Sequence, residues 1–255
     1  MTYCTKPDLQ RFLHRLMGRS VLDDDEQQAI INLPGRTEHV QSNRDFVRMG
    51  ERVDHACLVV SGIIGRFGQN RDGKRQITAM HVPGDMADLH SVVQPTGASA
   101  LQALSIATIL RVPHVAIRAV AARYPAIAEA LWRDCSVDAS VLAQWVVNVG
   151  RRNARHRVAH LLCEMGTRLH PGPFEGEVLF PFAVTQNQLA DATGLTAVHI
   201  NRTLQNLKKD RLAEVGNRSV HIPDWMSLTM AGEFEPNYLQ INVRPDERVR
   251  IARAS

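Results

Sequence analysis

The sequence predicts an α+β protein with an N-terminal antiparallel β-roll, a long connecting helix and a C-terminal winged helix-turn-helix. Short β-like runs separated by turn signals occupy roughly residues 37–118. A helical pattern then runs without breakers from Pro125 to Gly150. Between Thr185 and Ile222 a capping box, a turn glycine, a second capped helix and a hairpin follow in that order.

The first 32 residues read as helical, with Leu9, Phe12, Leu13 and Leu16 at helical spacing and Ala29, Ile30 and Ile31 behind them. Leu33-Pro34-Gly35 ends that section. The β-like runs are Phe46 to Met49, Ala56 to Val60, Ile63 to Phe67, Gln76 to Val82, Ala100 to Leu104 and Ala107 to Val112. Many short strands at this spacing predict an antiparallel barrel or roll. Asp72-Gly73 is a hairpin signal, because glycine tolerates positive φ. Pro125 suits a first helical turn, where its missing N–H is not needed. In the helix it opens, Ile127, Leu131, Cys135, Asp138, Leu142, Trp145 and Val149 approach coiled-coil spacing, with one acid in the seam. The pattern fits a core helix or a helix paired with its twin, and its unbroken length favours the pair. A further helix, Asn153 to Leu169, follows, with Asn153 as N-cap, and then a Pro171-Gly172-Pro173 loop.

The 255 residues suffice for two ordinary domains. With 44% hydrophobic and 22% charged residues, the composition is that of a globular protein. No run approaches the ~20 apolar residues of a membrane span, and the first 15 residues lack a signal-peptide pattern, so a cytoplasmic location is expected. The net charge is +4 and the pI near 9.1, compatible with a nucleic-acid partner. Acids gather at Asp23, Asp24, Asp25 and Glu26, and bases at Arg151, Arg152, Arg155 and Arg157. Cys4, Cys57, Cys135 and Cys163 form no C-x-x-C pair and read as buried small apolar residues. G-x-S-x-G and phosphate-loop signatures are absent, and no enzyme is expected.

The segment from Thr185 to Leu207 carries the chemistry. Thr185 caps a helix whose Gln188 completes a capping box, with Leu189, Ala190 and Ala192 facing a core. Gly194 allows a sharp turn and Leu195 plugs the gap between the helices. Thr196 caps the second helix, which buries Ile200, Leu204 and Leu207. Two short helices joined this way suit a DNA major groove. Arg202 can donate two parallel bonds to a guanine, His199 can reach a base or phosphate, and Val198 can meet a thymine methyl, with Thr196 helping to position. Gln186 and Asn187 sit at a helix start, where phosphates bind. Lys208, Lys209 and Arg211 continue the basic surface. Leu212 to Val215 and Ser219 to Ile222 flank Gly216-Asn217 as a hairpin wing, with Arg218 near its tip.

Met49-Gly50-Glu51, Ser61-Gly62, Asp72-Gly73-Lys74, Pro83-Gly84-Asp85, the helix from Pro125 and the Thr185–Leu207 segment occur in the order and spacing of a known family. From about Arg36 to Ile222 the chain resembles the Crp/Fnr superfamily of bacterial transcription regulators. The resemblance implies a cyclic-nucleotide-binding-like sensor over residues 1–124, with the N-terminal helices, and a dimerisation helix over 125–150. A winged helix-turn-helix follows over 151–224. Residues 225–255 are left as a tail of unknown role. It implies a homodimer bound to a palindromic operator in double-stranded DNA, with RNA polymerase as a further partner and no membrane. In the family an effector in the roll repositions the recognition helices.

Against cyclic-AMP binders of that family, the first pocket loop reads Met86-Ala87-Asp88-Leu89-His90, with Asp88 its one carboxylate. The phosphate-holding arginine position falls near Ala98, leaving Ser99 without a cation, and Leu142 and Ala143 replace the hydroxyl residues that meet the base. An anionic phosphate buried without a positive partner is costly, so cyclic AMP is not the expected effector. Asp88, Ser99, Leu142 and Ala143 remain the candidate effector pocket, for an unidentified small molecule or none. The iron–sulfur sensor of the Fnr branch needs an N-terminal cysteine set, and only Cys4 is present there. Haem stays open, since eleven histidines supply axial ligands; no cofactor or metal is assigned. At the recognition helix Val198 and Ala197 replace the family's Glu and its preceding Arg or Ser, while Arg202 is retained, so an altered half-site is expected. Two alternatives are a roll that regulates a protein partner and a cupin-like metalloenzyme with His81 and His90 as ligands.

Overall fold

A computed structural model describes residues 6–97, 99–169, 176–241 and 243. Cys4, Ala98, the Pro171-Gly172-Pro173 loop and the chain from residue 244 lie outside the described residues. The helical N-terminus is two helices, α1 (Lys6–Met17) and α2 (Asp24–Ile31). Leu9, Phe12, Leu13 and Leu16 form the buried face of α1, as their spacing predicts. The acidic run starts α2: Asp23 closes a capping box with Glu26, and the first-turn acids complement the helix dipole.

The roll consists of β1 (Arg36–Val40), β2 (Asp45–Val47), β3 (His55–Ser61), β4 (Ile64–Gln69), β5 (Arg75–His81), β6 (Ala100–Ala103) and β7 (Ala107–Pro113). All ladders are antiparallel, in two sheets of order β1-β7-β3 and β2-β6-β4-β5. Val47, Cys57, Val59, Ile64, Leu101 and Ile109 fill the space between them. β1 has no counterpart among the predicted runs. Arg-Thr-Glu-His-Val buries only Val40, and the strand exists because its backbone pairs with β7. Short 3-10 helices span Leu89–Val92 in the roll and Pro236–Leu239 near the other end of the chain.

Beyond the roll, α3 (His114–Arg123) occupies sequence that reads as the last of the β texture; it buries only His114 and Ile117. The long helix α4 (Pro125–Arg151) has the predicted bounds within one residue, but not the predicted seam. Ile127 and Trp145 are buried in their own subunit, and Asp138 turns toward the roll, where both carboxylate oxygens accept from Arg66 at 2.8 and 2.9 Å. The acid in the pattern therefore ties helix to sheet instead of setting a coiled-coil register. The open stripe of α4 is Trp132, Ser136, Ala139, Ala143, Val146 and Gly150, alternating steps of four and three residues, flanked by Leu142 and Val147.

The C-terminal domain contains α5 (Ala154–Leu169), β8 (Val178–Pro181), α6 (Gln186–Thr193), α7 (Ala197–Lys209), β9 (Glu214–Gly216), β10 (Ser219–Ile222) and α8 (Trp225–Gly232). Asn153 caps α5, its Oδ1 accepting from His156 N at 3.1 Å. The segment set apart as a tail is built into this domain as far as Ile241. Trp225, Leu228, Phe234 and Leu239 join its core, and α8 crosses α5 so closely that a Cβ at Gly232 would lie 2.7 Å from His160 N.

A buried charge network joins the parts. Asp85, in the Pro83-Gly84-Asp85 turn, accepts from Arg15 of α1, from Arg168 Nη2 of α5 at 2.6 Å and from Val82 N at 3.0 Å. Asp134 of α4 accepts from Arg15 Nε at 2.9 Å and Arg19 Nη1 at 2.8 Å. Glu164 accepts from Arg168, Trp145 Nε1 and Tyr238 Oη at 3.0, 2.9 and 2.9 Å. Burial would raise the carboxyl of Asp85, but the guanidiniums of Arg15 and Arg168 outweigh it and hold it below the usual carboxylate range.

Two buried histidines give the fold an acid limit. Burial, followed by the charge of Arg66, lowers His81 to about 3; burial and then Arg152 lower His160 to about 4. Both stay neutral in the folded state while the unfolded chain takes up protons below about pH 6.5. Their stabilisation is full above that pH and is lost as pH falls toward 4. Urea titrations should show about 2 kcal/mol less stability per histidine at pH 5 than at pH 7.5. Equal midpoints at the two pH values would refute this.

Candidate nucleic-acid interface

The helix pair forms as its local signals dictate. Thr185 Oγ1 accepts from Gln188 N at 3.2 Å and Gln188 Oε1 accepts from Thr185 N at 2.7 Å, closing the capping box of α6. Gly194 ends α6 in the left-handed region at φ 64°, where a side chain would be strained. Leu195 packs partly buried between the helices. Thr196 caps α7, its Oγ1 accepting from His199 N at 3.2 Å. Ile200, Leu204 and Leu207 point inward, as predicted.

The opposite side of α7 is open. Thr196, Ala197, Val198, His199, Asn201 and Arg202 are all exposed, and Val198 retains 79% of its surface. Val198 is thus open to an apolar contact from outside the subunit at the start of the helix. Gln186 and Asn187 are exposed beside it, and Asn201 Nδ2 donates to Gln186 Oε1 at 3.4 Å, linking the two helices across their outer face. Lys208 is paired with Glu214 of β9 at 2.5 Å, and Arg155 with Asp210. A phosphate would have to exchange with Glu214 for Lys208, while Lys209 stands exposed next to it.

The wing is present with two corrections. Its turn is Asn217-Arg218, both at positive φ, 49° and 60°, one residue later than the Gly216-Asn217 turn expected from glycine alone. A tight hairpin needs left-handed residues at both turn positions, and asparagine adopts that region readily. Arg218 is accordingly at the tip, exposed. The second correction is β8, a third strand paired along β10 that sequence pattern did not reveal.

The helix pair leans on the roll. Gln188 Nε2 donates to Asn43 Oδ1 at 2.9 Å and to Leu104 O at 3.0 Å, and Gln76 Nε2 of β5 donates to Ala192 O at 3.2 Å. Neither contact covers the outer face of α7.

Inside the roll, Asp88 and Ser99 meet at one small cavity with Arg66, His90 and Ser91. Its volume is about 20 Å³, room for one water molecule rather than a nucleotide. Leu142 and Ala143 stand on the open side of α4 and are not in that lining. Asp88 Oδ1 accepts from Cys57 N at 2.6 Å, fastening the turn to β3, and burial raises its carboxyl. The cavity does contain a cation. Arg66 arrives from β4 instead of the sequence position where the resemblance expects the arginine, and its charge is taken up by Asp138. Ile64 and Arg66 share a strand face, so the register of β4 was the available signal. Burial also pushes the thiols of Cys57, Cys135 and Cys163 upward, away from the thiolate form. His81 lies 3.8 Å from Asp85 and His90 lines the cavity; among the described residues no cluster of three metal-ligand side chains exists. Among those residues, no helix is long and apolar enough to cross a membrane.

Comparison with known proteins gives concordant results. Residues 37–124 match the cyclic nucleotide-binding domain family and residues 156–230 match the Crp-like helix-turn-helix domain family. The anaerobic regulatory protein of Haemophilus influenzae is 23% identical over 203 residues, 80% of this chain and 79% of its own. The fumarate and nitrate reduction regulatory protein of Vibrio cholerae is 21% identical over 201 residues, 79% of this chain and 80% of its own. The structure of FixK2 from Bradyrhizobium japonicum superposes with a TM-score of 0.70 at 23% identity, covering 77% of this chain and 96% of that one.

Proposed function

The chain belongs to the Crp/Fnr family of DNA-binding transcription regulators, and from that premise we propose that it binds a twofold-symmetric operator as a homodimer joined through α4. The observation that carries the reading is the outer face of α7, where Val198, His199 and Arg202 are exposed and neither His199 nor Arg202 makes a side-chain ion pair among the described residues. Arg202 and His199 read base edges, Val198 meets a thymine methyl, and Gln186, Asn187 and Thr196 fix the register on the backbone. Lys208, Lys209 and Arg218 add phosphate contacts. The open stripe of α4 supplies the twin helix with a largely apolar surface from Trp132 to Gly150.

The roll acts without a cyclic nucleotide. Its interior is closed by the Arg66–Asp138 pair, which fixes α4 to β4 where the family's resemblance places an effector. A protein of this kind responds to its own abundance or to a signal received elsewhere.

Fluorescence anisotropy with a bound duplex tests the docking. Arg202→Ala should cost about 1–3 kcal/mol and relax discrimination at one base pair. Lys208→Ala should weaken all duplexes alike and lower the salt slope by about 1 or less, since Glu214 already competes for the ammonium. Wild-type affinity and discrimination in both variants would place the DNA on another face.

A further inference from the structure

A cavity far larger than that of the roll lies outside it. A cleft of about 710 Å³ opens between α1, the Pro83-Gly84-Asp85 turn, α4, the end of α5 and the segment at Leu239 and Ile241. That volume falls within the range of small-molecule sites, about 300–1,000 Å³. Its walls come from both domains.

The chemistry of the walls is one-sided. Arg11, His14, Arg15, Arg19 and Arg168 line the cleft with one carboxylate, Asp85. That carboxylate is shared between Arg15 and Arg168, and Asp134 behind it is shared between Arg15 and Arg19. The hydrogen bonds of Arg15 use Nε and Nη1, and those of Arg168 use Nη1 and Nη2, leaving Nη2 of the first and Nε of the second for a further acceptor. Arg11, one turn along the same face of α1, is exposed at the lip and makes no ion pair among the described residues. The apolar part of the lining is Val137 and Val141 of α4, Leu169, Leu239 and Ile241.

We propose that this cleft binds an amphipathic organic anion, its head on Arg11 and Arg15 and its apolar body along Val137, Val141 and Leu169. Arg15, Arg19 and Arg168 are matched by Asp85, Asp134 and Glu164, so the net positive charge at the cleft comes from Arg11, which selects a carboxylate or phosphate head through charge-assisted bonds. The apolar wall selects a body to displace water. The site is separate from the roll cavity and from the face of α7, and it needs no DNA for its assay.

Isothermal titration calorimetry on the full chain with decanoate, decyl phosphate and decylammonium tests the proposal. Decanoate or decyl phosphate should saturate at one per chain, and the tighter of the two identifies the preferred head. Decylammonium should not saturate. Arg11→Ala, at an exposed side chain outside the buried network, should keep the wild-type melting temperature and weaken anion binding about tenfold. Thr167→Trp should fill the cleft and abolish binding. Equal binding of decylammonium and decanoate would reduce the site to apolar adsorption and overturn the proposal. So would unchanged affinity in Arg11→Ala, or no saturation by any of the three.

Discussion

Asp85→Ala is expected to lower the unfolding free energy by about 3–5 kcal/mol, the cost of breaking a buried ion pair from one side. The carboxylate is 2% exposed and accepts from Arg15, Arg168 and Val82 N. Arg168 is nearly as buried, so its charge would lose one of its two carboxylate partners and retain Glu164. The damage extends beyond the turn, because Arg15 belongs to α1 and Arg168 to α5. Asp85→Asn keeps an acceptor for Val82 N and should lose less. Urea denaturation of the three proteins reads the difference, and a loss below about 1 kcal/mol in Asp85→Ala would show that the network contributes little.

Val146→Asp should convert the protein to a monomer and weaken operator binding at least a hundredfold. Val146 keeps 62% of its surface in the single chain, so nothing within the subunit opposes the change. In the proposed dimer the carboxylate would be brought beside its twin on a face that includes Ala139, Ala143 and Gly150, a like-charge pair at an apolar contact. Losing the partner leaves one half-site contact instead of two, and linked contacts of this kind raise affinity by about 10²–10⁴. Light scattering reads the mass and anisotropy the affinity. An intact dimer with wild-type affinity would move the interface off α4.

The helix-turn-helix was legible because its determinants are local. Thr185, Gln188, Gly194 and Thr196 each act on backbone within a few residues, and the structure shows each in its expected place. The seam of α4 was not, because periodicity reports an apolar stripe without saying which neighbour covers it. Ile127 and Trp145 serve the chain's own core, and the open face mixes Trp132, Leu142, Val146 and Val147 with Ser136, Ala139, Ala143 and Gly150, so its apolar residues do not stand out as a separate seam. The Arg66–Asp138 pair was equally hidden, since the two residues are 72 apart in sequence and meet only when α4 lies on the roll. α8 escaped notice because the resemblance read from the sequence stopped at Ile222, whereas the helix-turn-helix family match extends to residue 230 and Trp225, Leu228 and Phe234 are ordinary core residues. β1 and β8 depend on partner strands, and neither Arg36–Val40 nor Val178–Pro181 carries an alternation long enough to read alone.

The most direct test is selection from a random duplex pool with the purified full chain, sequenced at two salt concentrations. The account predicts an enriched inverted repeat whose half-sites lie about one helical turn apart, and whose enrichment survives the higher salt. Retention that is blind to sequence and lost with salt would reflect phosphate attraction alone and would contradict a dimeric, base-reading α7.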